Sequence, residues 1–153
     1  VLGGGKDPGI RGVVTRSDLL KLPVRLYAFS LITHLELLMS EVISTKFSPN
    51  EDPFSLLSEG RRKKLDEKMN DFKQRNFNPP LLELTDFCDK REILKKRFHL
   101  GKGFKDDLEE IEELRNKVAH AGNYASDDAE MQLFIKRLSR AEHWIQELTH
   151  HLK

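Results

Sequence analysis

Seven apolar residues near the carboxyl end of the chain, Met131, Phe134, Leu138, Ala141, Ile145, Leu148 and Leu152, recur at spacings of three and four without a miss. Only a helix of about 3.6 residues per turn brings such positions onto one face. A strand would send successive side chains to opposite faces and scatter the set. A stripe this long has to be covered along its length, so the chain needs other helices to lie against it. Asp127 and Glu130 stand at capping-box spacing just ahead of the stripe and mark the start of the helix.

The covering helices are visible upstream. After Pro23, residues 24–46 carry Leu26, Phe29, Ile32, Leu35, Leu38, Met39, Val42 and Ile43, with Leu31 and Leu37 widening the apolar arc beyond one face. Such a helix is expected to be covered on two sides, either centrally in a bundle or partly in a subunit interface. Ser30, His34 and Glu41 form its polar strip, and His34 reads as a hydrogen-bonded structural residue rather than a catalyst. Arg25, His34, Glu36 and Glu41 interrupt the stretch before it reaches the roughly 18 charge-free residues of a bilayer span, so no membrane association is expected.

Ser48-Pro49-Asn50-Glu51-Asp52-Pro53 breaks that helix, and residues 54–57 read as a short turn. Residues 59–75 follow as a charged helix with sparse apolar positions at Leu65, Met69 and Phe72. Its quartet Arg61-Arg62-Lys63-Lys64 is suited to a phosphate backbone, but Asp66, Glu67, Lys68 and Asp71 follow at once and favour a solvated face. After the loop 76–80, residues 81–100 read as one helix with Leu84, Phe87, Leu94 and Phe98 on its stripe, stopped by Gly101 and Gly103. Lys95, Lys96 and Arg97 complement the carboxyl end of that helix. The expected fold is all-α, an antiparallel bundle of four to five helices.

At 153 residues the chain buries a core without needing disulfides or metals. Its 26 basic and 25 acidic residues nearly cancel, so nucleic-acid contact has to come from a local patch. The single cysteine, Cys88, forms no internal disulfide and reads as a small buried hydrophobe in a reducing, cytoplasmic compartment. His150-His151 lies at a fraying end, and no zinc spacing occurs elsewhere, so no metal or other cofactor is expected.

Residues 104–121 hold the densest chemistry. Leu108, Ile111, Leu114 and Val118 define a buried stripe, with Asp106 and Asp107 suiting the amino end and Gly122 the stop. Asn116 and His120 are an i, i+4 pair pointing nearly opposite to that stripe, so His120 is not expected in the core. Arg115 lies near the stripe edge and has the reach to swing toward the His120 face. Such a trio presents a cation, an amide and an imidazole to a phosphate. The segment Arg115-Asn116-Lys117-Val118-Ala119-His120 resembles the Arg-Asn-x-x-x-His signature of HEPN domains, and with the helix order the likeness covers residues 24–153. That resemblance implies a metal-independent endoribonuclease, toxic or defensive in role, working as a homodimer with two such helices facing across a cleft. Arg115, Asn116 and His120 are its implied catalytic residues, RNA its substrate, and an antitoxin partner is left open.

A second likeness lies upstream. Gly-rich turns in residues 3–9 lead into a β-type run at 10–15, and Ser17 or Thr15 is placed to cap a following helix. Gly12-Val13-Val14-Thr15-Arg16-Ser17-Asp18-Leu19 resembles the last strand and opening helix of a CBS domain. The resemblance implies that Thr15 meets nucleotide phosphate and Asp18 ribose, in a vestigial site without the upstream strands. Residues 1–23 are then a truncated CBS-like tail before a HEPN-like domain at 24–153, the chain is a fragment of something longer, and an adenine-type nucleotide is expected only of that longer protein.

Two other readings of the motif stay open. In one, Arg115 and His120 bind RNA, a nucleotide or a protein without cleavage, which the six carboxylates of residues 106–113 favour by repelling RNA unless they face elsewhere. In the other, Arg115 pairs locally with Glu112 or Glu113 and His120 serves only the helix dipole.

Overall fold

The computed structural model describes residues 15–98, 100–101, 103–120 and 124–153. Six α-helices and two 3₁₀ turns make up the described chain, which contains no strand: α1 Arg16–Leu19, α2 Leu22–Lys46, α3 Glu59–Gln74, α4 Phe87–Arg97, α5 Phe104–Ala119 and α6 Asp128–Leu152, with turns at Pro53–Leu56 and Leu81–Leu84. The all-α expectation holds, with five long helices and the one-turn α1. The proposed strand at 10–15 lies outside the described residues apart from Thr15.

Helix α2 is the central element, packed against α4, α5 and α6. Ala28, Ile32, Leu35, Met39, Val42 and Ile43 are fully buried on it. Its opposite face is not covered, since Leu22, Leu26, Tyr27, Phe29 and Leu37 are exposed. By length and composition, with up to two charged residues allowed, α2 is long and apolar enough to cross a membrane. The polar residues that interrupt it are spaced widely enough to leave an apolar window, and the packed half of the helix belongs to the bundle core.

The stripe on α6 is buried as its period requires, with Phe134, Ala141 and Leu148 in the core and Leu138, Ile145 and Leu152 at its margin. Trp144 and Arg137 share the same face and are buried with it. Trp144 meets Phe104 of α5 edge-on at 4.9 Å, and its Nε1 donates to Asp107 Oδ2 at 3.1 Å. At the start of α6, Asp127 Oδ1 accepts from Glu130 N at 2.8 Å, as the spacing predicts. Glu130 does not return the bond to Asp127; it takes the Ser126 hydroxyl at 2.6 Å instead.

One predicted helix is two elements. Residues 81–100 divide at Thr85 and Asp86, whose extended backbones end the 3₁₀ turn and open α4. Asp86 and Asp89 form a capping box, with Asp86 N donating to Asp89 Oδ2 at 3.0 Å. A cap is a start signal, so an apolar pattern running through it does not continue the helix. At the end of α3, Asn76 adopts φ 57°, and Phe77 N reaches back to Phe72 O at 3.1 Å. This left-handed cap closes the helix and brings the Phe77 and Phe72 rings edge to face at 5.7 Å.

Candidate functional site

Helix α5 starts at Gly103, whose φ of 101° is strained for any side chain, and Asp107 N donates to Gly103 O at 2.8 Å. Phe104, Leu108, Ile111, Leu114 and Val118 face the core. The helix phase set by those five residues puts Asn116 and His120 on the exposed side. His120 is the carboxyl-terminal cap, its N–H donating to Asn116 O at 3.1 Å, so the two side chains stand one turn apart. Neither side chain has a hydrogen bond or ion pair with another described residue.

Arg115 does not turn toward the His120 face unaided. Its Nε lies 3.5 Å from Glu36 Oε2 on α2, and its terminal nitrogens carry no hydrogen bond to another described residue. The other Glu36 oxygen accepts from Lys90 Nζ at 2.9 Å, and Lys90 also donates to Thr85 O at 3.0 Å. Lys90, only 5% exposed, is therefore a buried strut joining α4 to α2 beneath Arg115. Arg115 forms no ion pair with Glu112 or Glu113, which meet Arg91 and Arg137 instead.

The acidic run faces arginines on both sides of α5. Arg91 of α4 contacts Glu112 at 2.7 Å and Glu109 at 3.4 Å. On the other flank Arg137 contacts Glu113 at 2.7 Å, while Arg140 contacts Asp107 at 2.9 Å and Glu110 at 2.7 Å. Pairing with Arg140 holds the Glu110 carboxyl below its ordinary range. Of the six carboxylates in residues 106–113, only Asp106 has no cationic partner among the described residues. Against the six carboxylates stand four cations, Arg91, Arg137, Arg140 and Lys105, so the negative charge beside the motif is offset only in part.

Beyond the motif, Lys117 Nζ lies 3.2 Å from Glu130 Oε1, fastening the end of α5 to the start of α6. The Ser126 hydroxyl and N–H, then Lys117, bring the Glu130 carboxyl down to about 2. Tyr124 Oη donates to Leu19 O at 2.9 Å, tying the segment after α5 to α1.

Thr15 and Asp18 are turned toward each other. Thr15 N and Oγ1 both donate to Asp18 Oδ2 at 2.7 Å, and Asp18 is also bound by Lys21. They cap α1, and Lys21 first, then Thr15, hold the Asp18 carboxyl far below its ordinary range. The basic quartet is divided: Arg61 turns inward to Asp86 and Asp89, Arg62 lies 3.5 Å from Asp52, and Lys63 and Lys64 are exposed. Asp86, Cys88 and Asp89 bring ligand atoms within 4.8 Å of one another. The Arg61 guanidinium already grips both carboxylates there, at 2.6 and 2.7 Å, in the place a cation would take. Burial pushes the Cys88 thiol up.

Sequence reasoning did not single out Glu36 and Lys90 as supports of Arg115, or Arg91, Arg137 and Arg140 as partners of the acidic run. Arg137 carried a signal, since it falls on the helical face of Phe134, Ala141, Trp144 and Leu148. The chain matches no protein-family model, no curated protein and no solved structure with which it was compared.

Proposed function

We propose that the chain carries half of a metal-independent endoribonuclease site of the HEPN type, completed by a second copy across a two-fold axis. The observation that carries this reading is the exposed Asn116–His120 pair beside an Arg115 whose elbow is anchored and whose terminal nitrogens carry no hydrogen bond to another described residue. Cleavage of RNA without metal requires removal of the 2′-hydroxyl proton, attack of that oxygen on phosphorus, and protonation of the departing 5′-oxygen. His120 of one copy takes the first proton, and the same residue of the second copy supplies the other. Arg115 places its planar fork on the phosphorane oxygens, and Asn116 orients the ring or a phosphate oxygen. Partial pairing of the acidic run with arginines lowers the repulsion that RNA would otherwise meet. The exposed Leu22, Leu26 and Phe29 on α2 offer apolar surface for the second copy to cover.

In this reading the protein is a cytoplasmic toxin or defence nuclease. A CBS region in a longer protein would act through α1, which reaches the segment after the motif by the Tyr124–Leu19 bond. The test is cleavage of single-stranded RNA in EDTA by the parent and by His120→Ala, both purified free of host nuclease; equal rates sink the proposal.

The second reading, a module that binds RNA, nucleotide or protein without cleaving it, is favoured by the Glu36 contact, which offsets part of the charge Arg115 would offer a phosphate. RNA retention by both proteins with cleavage by neither selects it.

A further inference from the structure

A groove of about 490 Å³ opens along the carboxyl half of α2, on the same face as Leu22, Leu26 and Phe29 and starting one turn after Phe29. One wall is α2, with Thr33, Leu37, Ser40, Glu41 and Ser44; the other is the 3₁₀ turn, with Pro80, Leu82 and Glu83. Leu37 projects into solvent at 63% exposure beside Pro80 and Leu82. Each wall also carries one exposed carboxylate, Glu41 and Glu83, and neither has an ion pair or side-chain hydrogen bond with a described residue. The Glu36–Lys90 pair lies between the walls. Glu41 and Glu83 therefore flank the groove without a cation among the described residues, beside a Glu36 that Lys90 and Arg115 both hold.

We propose that this groove docks a segment of a partner protein that presents lysine or arginine beside leucine-like side chains. The apolar stem and charged head of a basic side chain match a Leu37–Leu82 floor flanked by Glu41 and Glu83. The groove is open along about 16 Å of helix between Thr33 and Ser44, which suits an extended or helical segment better than an enclosed small molecule. Glu36 belongs both to this groove and to the Arg115 contact, so an arriving cation competes with Arg115 for the same carboxylate. Docking is thereby coupled to the position of Arg115, whether or not the chain cuts RNA.

The test uses the whole chain, ¹⁵N-labelled, titrated with three synthetic peptides: leucine-lysine, serine-lysine of equal charge, and leucine-glutamate. The leucine-lysine peptide is expected to shift the amides of Leu37, Ser40, Glu41, Ser44 and Glu83, and to move the Arg115 Nε–H signal. Glu41→Gln with Glu83→Gln is expected to weaken it at least tenfold, and Leu37→Ser likewise. Equal binding of the serine-lysine peptide, or of spermine, overturns the proposal in favour of a simple cation site. Shifts confined to other surfaces, affinity unchanged in the Glu41/Glu83 variant, or no binding at millimolar peptide overturn it outright. A moved groove with a stationary Arg115 signal removes the coupling. RNA cleavage is not a readout in any arm, so failure of the nuclease reading leaves these outcomes interpretable.

Discussion

Arg115 Nε lies 3.5 Å from Glu36 Oε2, across the packing of α5 on α2, and Lys90 holds the opposite oxygen of the same carboxylate at 2.9 Å. The motif arginine is thus positioned by a residue 79 places away in sequence. Replacing Glu36 by Gln keeps a hydrogen-bond acceptor for Lys90 but removes the charge. Stability is expected to fall by about 1–2 kcal/mol, read by urea unfolding. The released Arg115 should bind RNA up to about fivefold more tightly, the equivalent of roughly 1 kcal/mol for a half-exposed pair. Unchanged or weaker RNA binding would refute the view that the Glu36 contact offsets the charge Arg115 offers a phosphate.

His120 is exposed at the end of α5 and makes no hydrogen bond, ion pair or ring contact with a described side chain, so His120→Ala should leave stability within about 0.5 kcal/mol. If the proposed chemistry is right, the same change lowers the cleavage rate by at least about 100-fold. Thermal unfolding and a labelled-RNA assay separate the two effects.

Arg61 and Asp89 form a two-point contact, Nε to Oδ1 and Nη2 to Oδ2, each at 2.6 Å, with Asp89 only 1% exposed. Arg61→Ala leaves that carboxylate buried without its cation and is expected to cost about 3–5 kcal/mol. The double variant Arg61→Met, Asp89→Leu should recover most of this, short of the roughly 1 kcal/mol lost with the Asp89 arm of the α4 cap. Equal stability of the single and double variants would refute the account.

Acid should loosen the start of α6 before the core. Glu130 titrates near 2 in the folded chain against an ordinary 4.5, so its contribution is complete above 4.5 and is lost as pH falls from there through 2. Burial works to raise the Asp86 carboxyl, but Lys68 and Arg61 outweigh it and leave the group lowered, so the α3–α4 clasp weakens in the same direction below 3.8. Carboxyl-carbon NMR titration of the parent and of Ser126→Ala tests this: the Glu130 midpoint should rise toward 4.5 in the variant.

Trp144 packs on Phe104 and donates to Asp107. Trp144→Phe retains the ring contact and should cost about 1–2 kcal/mol, whereas Trp144→Ala should cost about 3–5 kcal/mol. Denaturant midpoints of the two variants distinguish packing from hydrogen bonding.

The helices were legible where one face repeats every three or four residues, as in Leu108, Ile111, Leu114 and Val118, because that spacing is a property of the backbone alone. The exposure of Asn116 and His120 followed from the same phase. The division at Asp86 was written in the Asp86–Asp89 spacing but masked by an apolar pattern that crosses it. Buried charges were not legible: Lys90 meets Glu36 from 54 residues away, Arg61 meets Asp89 from 28, and Arg91 meets Glu112 from 21. Nothing in a local window of residues tells a solvated lysine from one that a distant carboxylate will draw into the core.

Local order, helix phase and the outward face of the motif therefore belong to the chain read on its own, since they depend on neighbours three and four residues apart. The tertiary structure decided which charges remain available. It turned Asp107, Glu109, Glu110, Glu112 and Glu113 toward Arg91, Arg137 and Arg140 and anchored Arg115 on Glu36. It also left Glu41 and Glu83 without a cationic partner among the described residues. Ion pairs act through distance and burial, and only the packed helices set those two quantities.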